Sequence, residues 1–186
     1  VESHDNGETW VNPRTITDQV SAGHADQWFT RFASSGEGIQ LRYGAHAGRL
    51  IQQYAVANSG TTSLMAVSVY SDDHGVTWKP GAPTEGNADE NKVVELSDGR
   101  LLLNSRTQGT AGQRLEAISY DGGQTWGPFR HNWDLTDPRN NASIVRAYPD
   151  APEGSARARV LLFSNADSST ARANGTIRVS YDDGFT

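Results

Sequence analysis

An eight-residue pattern, Ser-x-Asp-x-Gly-x-Thr-Trp, recurs along the chain and limits the folds open to it more than any other feature. It stands at residues 3–10 (SHDNGETW), 71–78 (SDDHGVTW), 119–126 (SYDGGQTW) and 180–186 (SYDDGFT), the last stopping one residue before the Trp. Similarity at intervals of tens of residues is the signature of stacked supersecondary units. Each copy reads as a hairpin turn: Ser and Asp side chains bond nearby amides, Gly permits positive φ, and Trp packs beneath the loop. The carboxylates of Asp5, Asp73, Asp121 and Asp182 are therefore assigned to structure rather than to catalysis.

Each copy also closes a set of strand-like runs. One unit holds residues 38–43, 49–57 and 64–71; the next holds 92–96, an Asp98-Gly99 turn, 100–106 and 115–119; a third holds 143–148, a longer turn through Gly154, 159–165 and 176–180. Three hairpin-linked strands, the repeat, and a short strand after the Trp make a four-stranded antiparallel blade. The expectation is an all-β chain, about three blades of a β-propeller with a remnant of a preceding one. An open stack exposes an apolar face at each end, so residues 1–186 are expected to be part of one larger domain, cut at both ends.

Composition supports this reading and excludes others. Nineteen Gly and seven Pro among 186 residues favour many turns over long helices. A net charge of −6 argues against nucleic acid or an anionic membrane surface as a partner, so an anionic ligand needs a local cationic pocket. The absence of Cys rules out disulfides and thiolate metal sites. No apolar run reaches the roughly 18–20 residues of a membrane span.

In such a blade the connections alternate between the two ends of the sheet. The repeats lie at one end. Glu85, Asp89 and Glu90, read as part of a connecting loop over residues 80–91, fall at the other. So do Arg106, at the end of a second strand, and Arg172, in a loop over residues 167–175.

Residues 90–106 (ENKVVELSDGRLLLNSR) and 140–166 (NNASIVRAYPDAPEGSARARVLLFSNA) resemble bacterial sialidases (neuraminidases) of the Asp-box, six-bladed propeller family, and in particular secreted actinobacterial ones. The resemblance covers essentially the whole chain. It implies an exo-α-sialidase that removes terminal sialic acids with retention, using a tyrosine nucleophile, a glutamate partner, an acid/base aspartate and three arginines that grip the sugar carboxylate. Glu90 matches the glutamate, Arg106 the second arginine and Arg172 the third. The first arginine and the aspartate are expected before Val1 and the tyrosine after Thr186, so the chain alone is expected to be inactive.

The chemistry suits these residue types. Guanidinium stays charged and offers paired donors in carboxylate geometry. A carboxylate beside a phenol holds its proton during attack and makes a group of pKa about 10 usable as a nucleophile. Asp89 is assigned to the rim of the ligand or to support of its neighbours, while Asn140 and Asn141 either line the pocket or turn the chain. Trp28 and Trp133 are sugar platforms or packing rings. The five His lack ligand spacing, so no metal and no cofactor are expected. By resemblance the partners are sialylated glycoproteins, glycolipids and oligosaccharides, with no nucleic acid and no membrane span, and the full-length protein is a secreted monomer. The competing reading is an Asp-box propeller that binds glycans without catalysis; a third is a propeller hydrolase or lyase for another sugar.

Overall fold

The structure, a computed structural model that describes residues 1–109 and 112–186, arranges the chain in three antiparallel sheets. The first pairs β1 (Trp28–Ala33) and β2 (Ile39–Gln40) with β3 (Leu50–Asn58), followed by β4 (Met65–Ser71) and β5 (Lys79–Pro80). The second runs in order β6 (Ala88–Glu95), β7 (Leu101–Thr107), β8 (Gly112–Ser119) and β9 (Arg130–Asp137). The third holds β10 (Ser143–Arg146), β11 (Leu161–Ala166) and β12 (Gly175–Ser180). These are the three strand runs read for the third unit.

The first sheet corrects the sequence reading. Its inner position is shared by two strands, since Ala33 pairs with Tyr54 and Ile39 with Ile51. The stretch from Trp28 to Ala33 escaped notice because only Trp28 is buried, Phe29 and Phe32 facing outward, so its apolar pattern has no clean alternation. Trp28 itself, 2% exposed and stacked on His24 at 4.2 Å, is a packing ring. Between β1 and β2 the chain crosses close to β3 at Gly38, where a Cβ would sit 2.8 Å from the Ile51 carbonyl.

The four repeats fold alike. Ser Oγ donates to Asp Oδ1 and accepts the Gly amide, while the second Asp oxygen takes the Thr hydroxyl at 2.6 Å in the first and second copies, 2.5 Å in the third and 2.7 Å in the fourth. The fourth and fifth positions are left-handed in every copy, for example His74 at φ 57° and Gly75 at 83°, which accounts for the Asn, His, Gly or Asp before the Gly. The second, third and fourth turns are also gripped by the preceding unit. Arg14 donates to the carbonyls of Gly75 and Val76; Arg49 to those of Asp121 and Gly122; Asp183 accepts the amide and hydroxyl of Ser97. The repeats are therefore clasps between neighbouring sheets.

Those clasps set an acid limit. The bonds from Thr77 and Ser71 hold the Asp73 carboxyl at about 2, and Asp5 is held there by Thr9 and Ser3. Since the unfolded value is about 3.9, this stabilisation is complete above about pH 4 and is lost as pH falls through the folded value. Thermal melts from pH 5 to pH 2 should show the native midpoint dropping across that window more steeply than that of Asp73→Asn. Parallel curves would remove the carboxylate from the clasp.

Packing between sheets is apolar at the repeat end. Leu41, Ile51 and Tyr70 meet Val93 and Leu101, with Trp126 against them. Val94, Leu96 and Leu102 meet Ala142, Ile144, Leu161 and Phe163 of the third sheet. On that second face the same rows continue as Lys92, Asn104 and Glu116, and end in Arg106 and Arg114, because alternate residues of adjacent strands share a face. The face grades from apolar to charged toward the far end.

Candidate active site

The charged end forms where β6 begins and β7 ends: Ala88 pairs with Thr107, whereas the repeat hangs from the opposite edge, at the pairing of Leu101 with Ser119. Asp89 and Glu90 lie on strand β6 rather than in the connecting loop. The register explains the difference. From Ala88↔Thr107 to Asn91↔Ser105, β6 uses one residue more than β7, a β-bulge at Asp89 and Glu90. Consecutive residues of a regular strand point to opposite faces, and the bulge cancels that rule locally. Both carboxylates consequently reach Arg106: Asp89 Oδ2 lies 2.5 Å from Nη2 and Glu90 Oε2 lies 2.9 Å from Nε.

The Glu90 contact is an ion pair without hydrogen-bond alignment, since the buried Arg106 Nε finds no properly directed acceptor. Burial pushes the Asp89 carboxyl up, and the Arg106 charge pulls it partly back. The bulge is pinned by Asn91, fully buried, whose Nδ2 donates to the Asp89 carbonyl at 2.8 Å and to Ser34 Oγ and the Tyr54 carbonyl at 3.2 Å.

Arg172, exposed in the loop between β11 and β12, reaches the same place. Its Nη2 donates to the Arg139 carbonyl at 2.9 Å, and Arg106 Nη1 donates to that carbonyl at 3.4 Å. Glu90, Arg106 and Arg172 are thus brought together from three loops and strand ends. Asn140 stands beside them, its own carbonyl bonded to Arg114 and its Oδ1 buried with no partner among the described residues. Asn141 Oδ1 accepts the following amide at 3.0 Å, a turn-forming contact. Glu85 is exposed in the loop before β6, and Trp133 is 74% exposed on β9 where three extra residues bulge outward.

Three residues of this region escaped the sequence reading. Arg139 adopts a left-handed backbone, φ 60°; Arg114 and Asp137 are wholly buried and paired at 3.4 Å. Nothing in their sequence neighbourhood marks them, since Arg114 stands beside Gln113 and two positions before Glu116.

The whole chain, residues 1–186, matches the family model described as a BNR repeat-like domain. The chain belongs to this BNR repeat-like family. Among relatives, the sialidase of Micromonospora viridifaciens is 60% identical over 184 residues, which is 99% of this BNR repeat-like chain and 28% of the relative. Among solved structures, the Hadza microbial sialidase Hz136 superposes with a TM-score of 0.83 at 32% identity, over 99% of this chain and 34% of that one. The intramolecular trans-sialidase from Ruminococcus gnavus, solved with oseltamivir carboxylate, gives 0.77 at 28% identity over 97% and 37%. The likeness to sialidases read from the residues is thereby confirmed, and the three sheets are blades of a sialidase-type propeller. The BNR repeat-like chain spans about a third of the length of these relatives.

Proposed function

We propose that the protein is an exo-α-sialidase and that Arg106, Arg172 and Glu90 are its contribution to the active site from this chain. The observation that carries the reading is the meeting of Arg106 and Arg172 on one carbonyl, beside Glu90, in a chain 60% identical to a sialidase. Sialic acid bears its carboxylate on the carbon where the glycosidic bond breaks. Two guanidinium groups fix that anion while positive charge develops next to it, and each supplies directed N–H donors that Lys lacks.

In this reading Glu90 partners the family's nucleophilic tyrosine. One Glu90 oxygen faces Arg106, yet the side chain keeps 28% exposure, so a phenol can approach it. The carboxylate draws the phenol proton as its oxygen bonds to the anomeric carbon; the glycosidic C–O bond breaks, and an acid protonates the departing oxygen. Water then releases the sugar, with retention overall. Sialidases with a tyrosine nucleophile are a recognised exception to the two-carboxylate scheme. Asp89 supports Arg106 from beneath rather than acting on substrate. Sialylated glycoproteins, glycolipids and oligosaccharides are the substrate class, and an extracellular location fits it.

The test is turnover of a fluorogenic sialoside by the protein at its natural length, beside an uncharged fluorogenic galactoside. Turnover of the sialoside alone is expected, with the α-anomer of free sialic acid appearing first in a proton NMR time course. Glu90→Gln should lower kcat about 100-fold, in the range of a lost general base. Binding of sialic acid without turnover would favour the glycan-binding propeller instead.

A further inference from the structure

One peptide unit does two things at this site. The C=O of the Arg139–Asn140 peptide accepts both Arg106 and Arg172, and its N–H donates to Asp137 Oδ1 at 3.2 Å. Asp137 Oδ2 takes the amide of Thr107, the residue after Arg106, at 3.3 Å. Arg114 then pairs with Asp137, donates to the Asn140 carbonyl at 2.9 Å and is fixed through Nε by Asn104 Oδ1 at 2.8 Å. Both members of the pair have no solvent exposure.

We propose that the Arg139–Asn140 peptide is a backbone brace that sets the spacing of Arg106 and Arg172 for a carboxylate-bearing ligand, and that the buried Arg114–Asp137 pair is the positioning device that holds it. This rests on the reading that the two arginines grip the sialic acid carboxylate. Two guanidinium groups directed at one anion repel each other while the site is empty. A carboxylate placed between them would relieve the repulsion by cancelling charge that the ligand needs. A neutral carbonyl oxygen relieves it through its dipole and adds no negative charge to that of Asp89 and Glu90 already beside Arg106. Its acceptor strength is raised because the same peptide's N–H faces the Asp137 carboxylate, so the two bonds polarise one another.

The direction of that carbonyl depends on two features. Arg139 is left-handed at φ 60°, a conformation that a β-branched residue resists and Gly accepts. Asp137 ties the end of β7 and the start of the 138–142 connection to one carboxylate, so the Arg106 stem and the brace move as one body. Arg114 supplies the counter-charge beside the wholly buried Asp137 carboxylate, 3.4 Å away.

The experiment is calorimetric titration of the protein at its natural length with free sialic acid and with its methyl ester, which keeps the sugar and removes the charge. The native protein is expected to bind the acid at least tenfold more tightly than the ester. In Asp137→Asn that preference should fall to a third or less of the native ratio, whereas a merely structural injury lowers both affinities and preserves the ratio. Should Asp137→Asn not fold, the exposed Arg139 gives a second arm: Arg139→Val should bind the acid at least fivefold more weakly than Arg139→Gly. A native ratio retained in Asp137→Asn, or equal acid affinity in the two Arg139 variants, overturns the brace. No preference for the acid in the native protein overturns the sialidase site itself.

Discussion

Arg106→Ala, in the protein at its natural length, is expected to lower kcat/KM for a fluorogenic sialoside by about 100- to 1,000-fold, or roughly 3–4 kcal/mol of transition-state binding. A charge-assisted bond to a carboxylate accounts for about 1.5–3 kcal/mol of this. The remainder comes from what Arg106 leaves behind. Asp89 and Glu90, at 2.5 and 2.9 Å from it, lose their counter-charge and then repel an anionic sugar. Burial already pushes the Asp89 carboxyl up, and without Arg106 nothing of that effect is offset by its charge. Arg106→Lys should recover part of the loss, because the charge returns without the two-pronged donor geometry. Steady-state kinetics of the three proteins decide the matter; an alanine variant within threefold of native would refute the assignment.

The largest expected stability effect lies one layer below. Arg114 and Asp137 are both wholly buried, and burial lowers the Arg114 pKa to about 10 even though Asp137 pulls the other way. Breaking a buried pair from one side leaves an uncompensated charge and costs about 3–5 kcal/mol. Arg114→Met, close in volume, should therefore lower the melting midpoint by about 10 °C, taking roughly 2–4 °C per kcal/mol for a domain of this size. The comparison is Arg100→Met. Its pairing with Asp98 is 2.7 Å long but 37% and 48% exposed, and a surface pair of that kind contributes about 0–1 kcal/mol. Equal shifts in the two variants would mean that burial is not what gives the Arg114 pair its weight.

Much of the architecture was legible because a repeat carries its own local chemistry. The turn formed by Ser71, Asp73, Gly75 and Thr77 closes through hydrogen bonds between residues two to four apart, so eight letters suffice to specify it. The runs over residues 100–106 and 115–119 read as strands because an Asp98-Gly99 turn and the repeat bound them. Where such marks were missing, the reading failed. The stretch Trp28–Ala33 buries only its first residue, and the Asp89–Glu90 bulge broke the pattern that would have extended β6 back to Ala88.

The site was legible only in part. Glu90 and Arg172 were read from loops and Arg106 from a strand end, all at the end of the blades opposite the repeats, and were matched to a familiar motif. Arg139 carried no such mark, since its contribution is a main-chain carbonyl that any residue possesses, aimed by a left-handed φ. Asp137 reads in the sequence as one more polar residue before a Pro.

The sequence by itself determined the repeat, the hairpin turns, the runs that form most strands and the end of the blades at which the charged residues gather, because each depends on contacts within a few residues or on the order of strands and turns along the chain. Only the tertiary structure decided that Asp89 and Glu90 share one arginine, that Arg106 and Arg172 share one carbonyl, and that the N–H of the same peptide donates to a member of a buried pair. Those facts join residues as far apart in sequence as Arg106 and Arg172. Their geometry depends on a bulge, a backbone dihedral and the approach of one sheet to the next, and none of these is written in the side chains themselves.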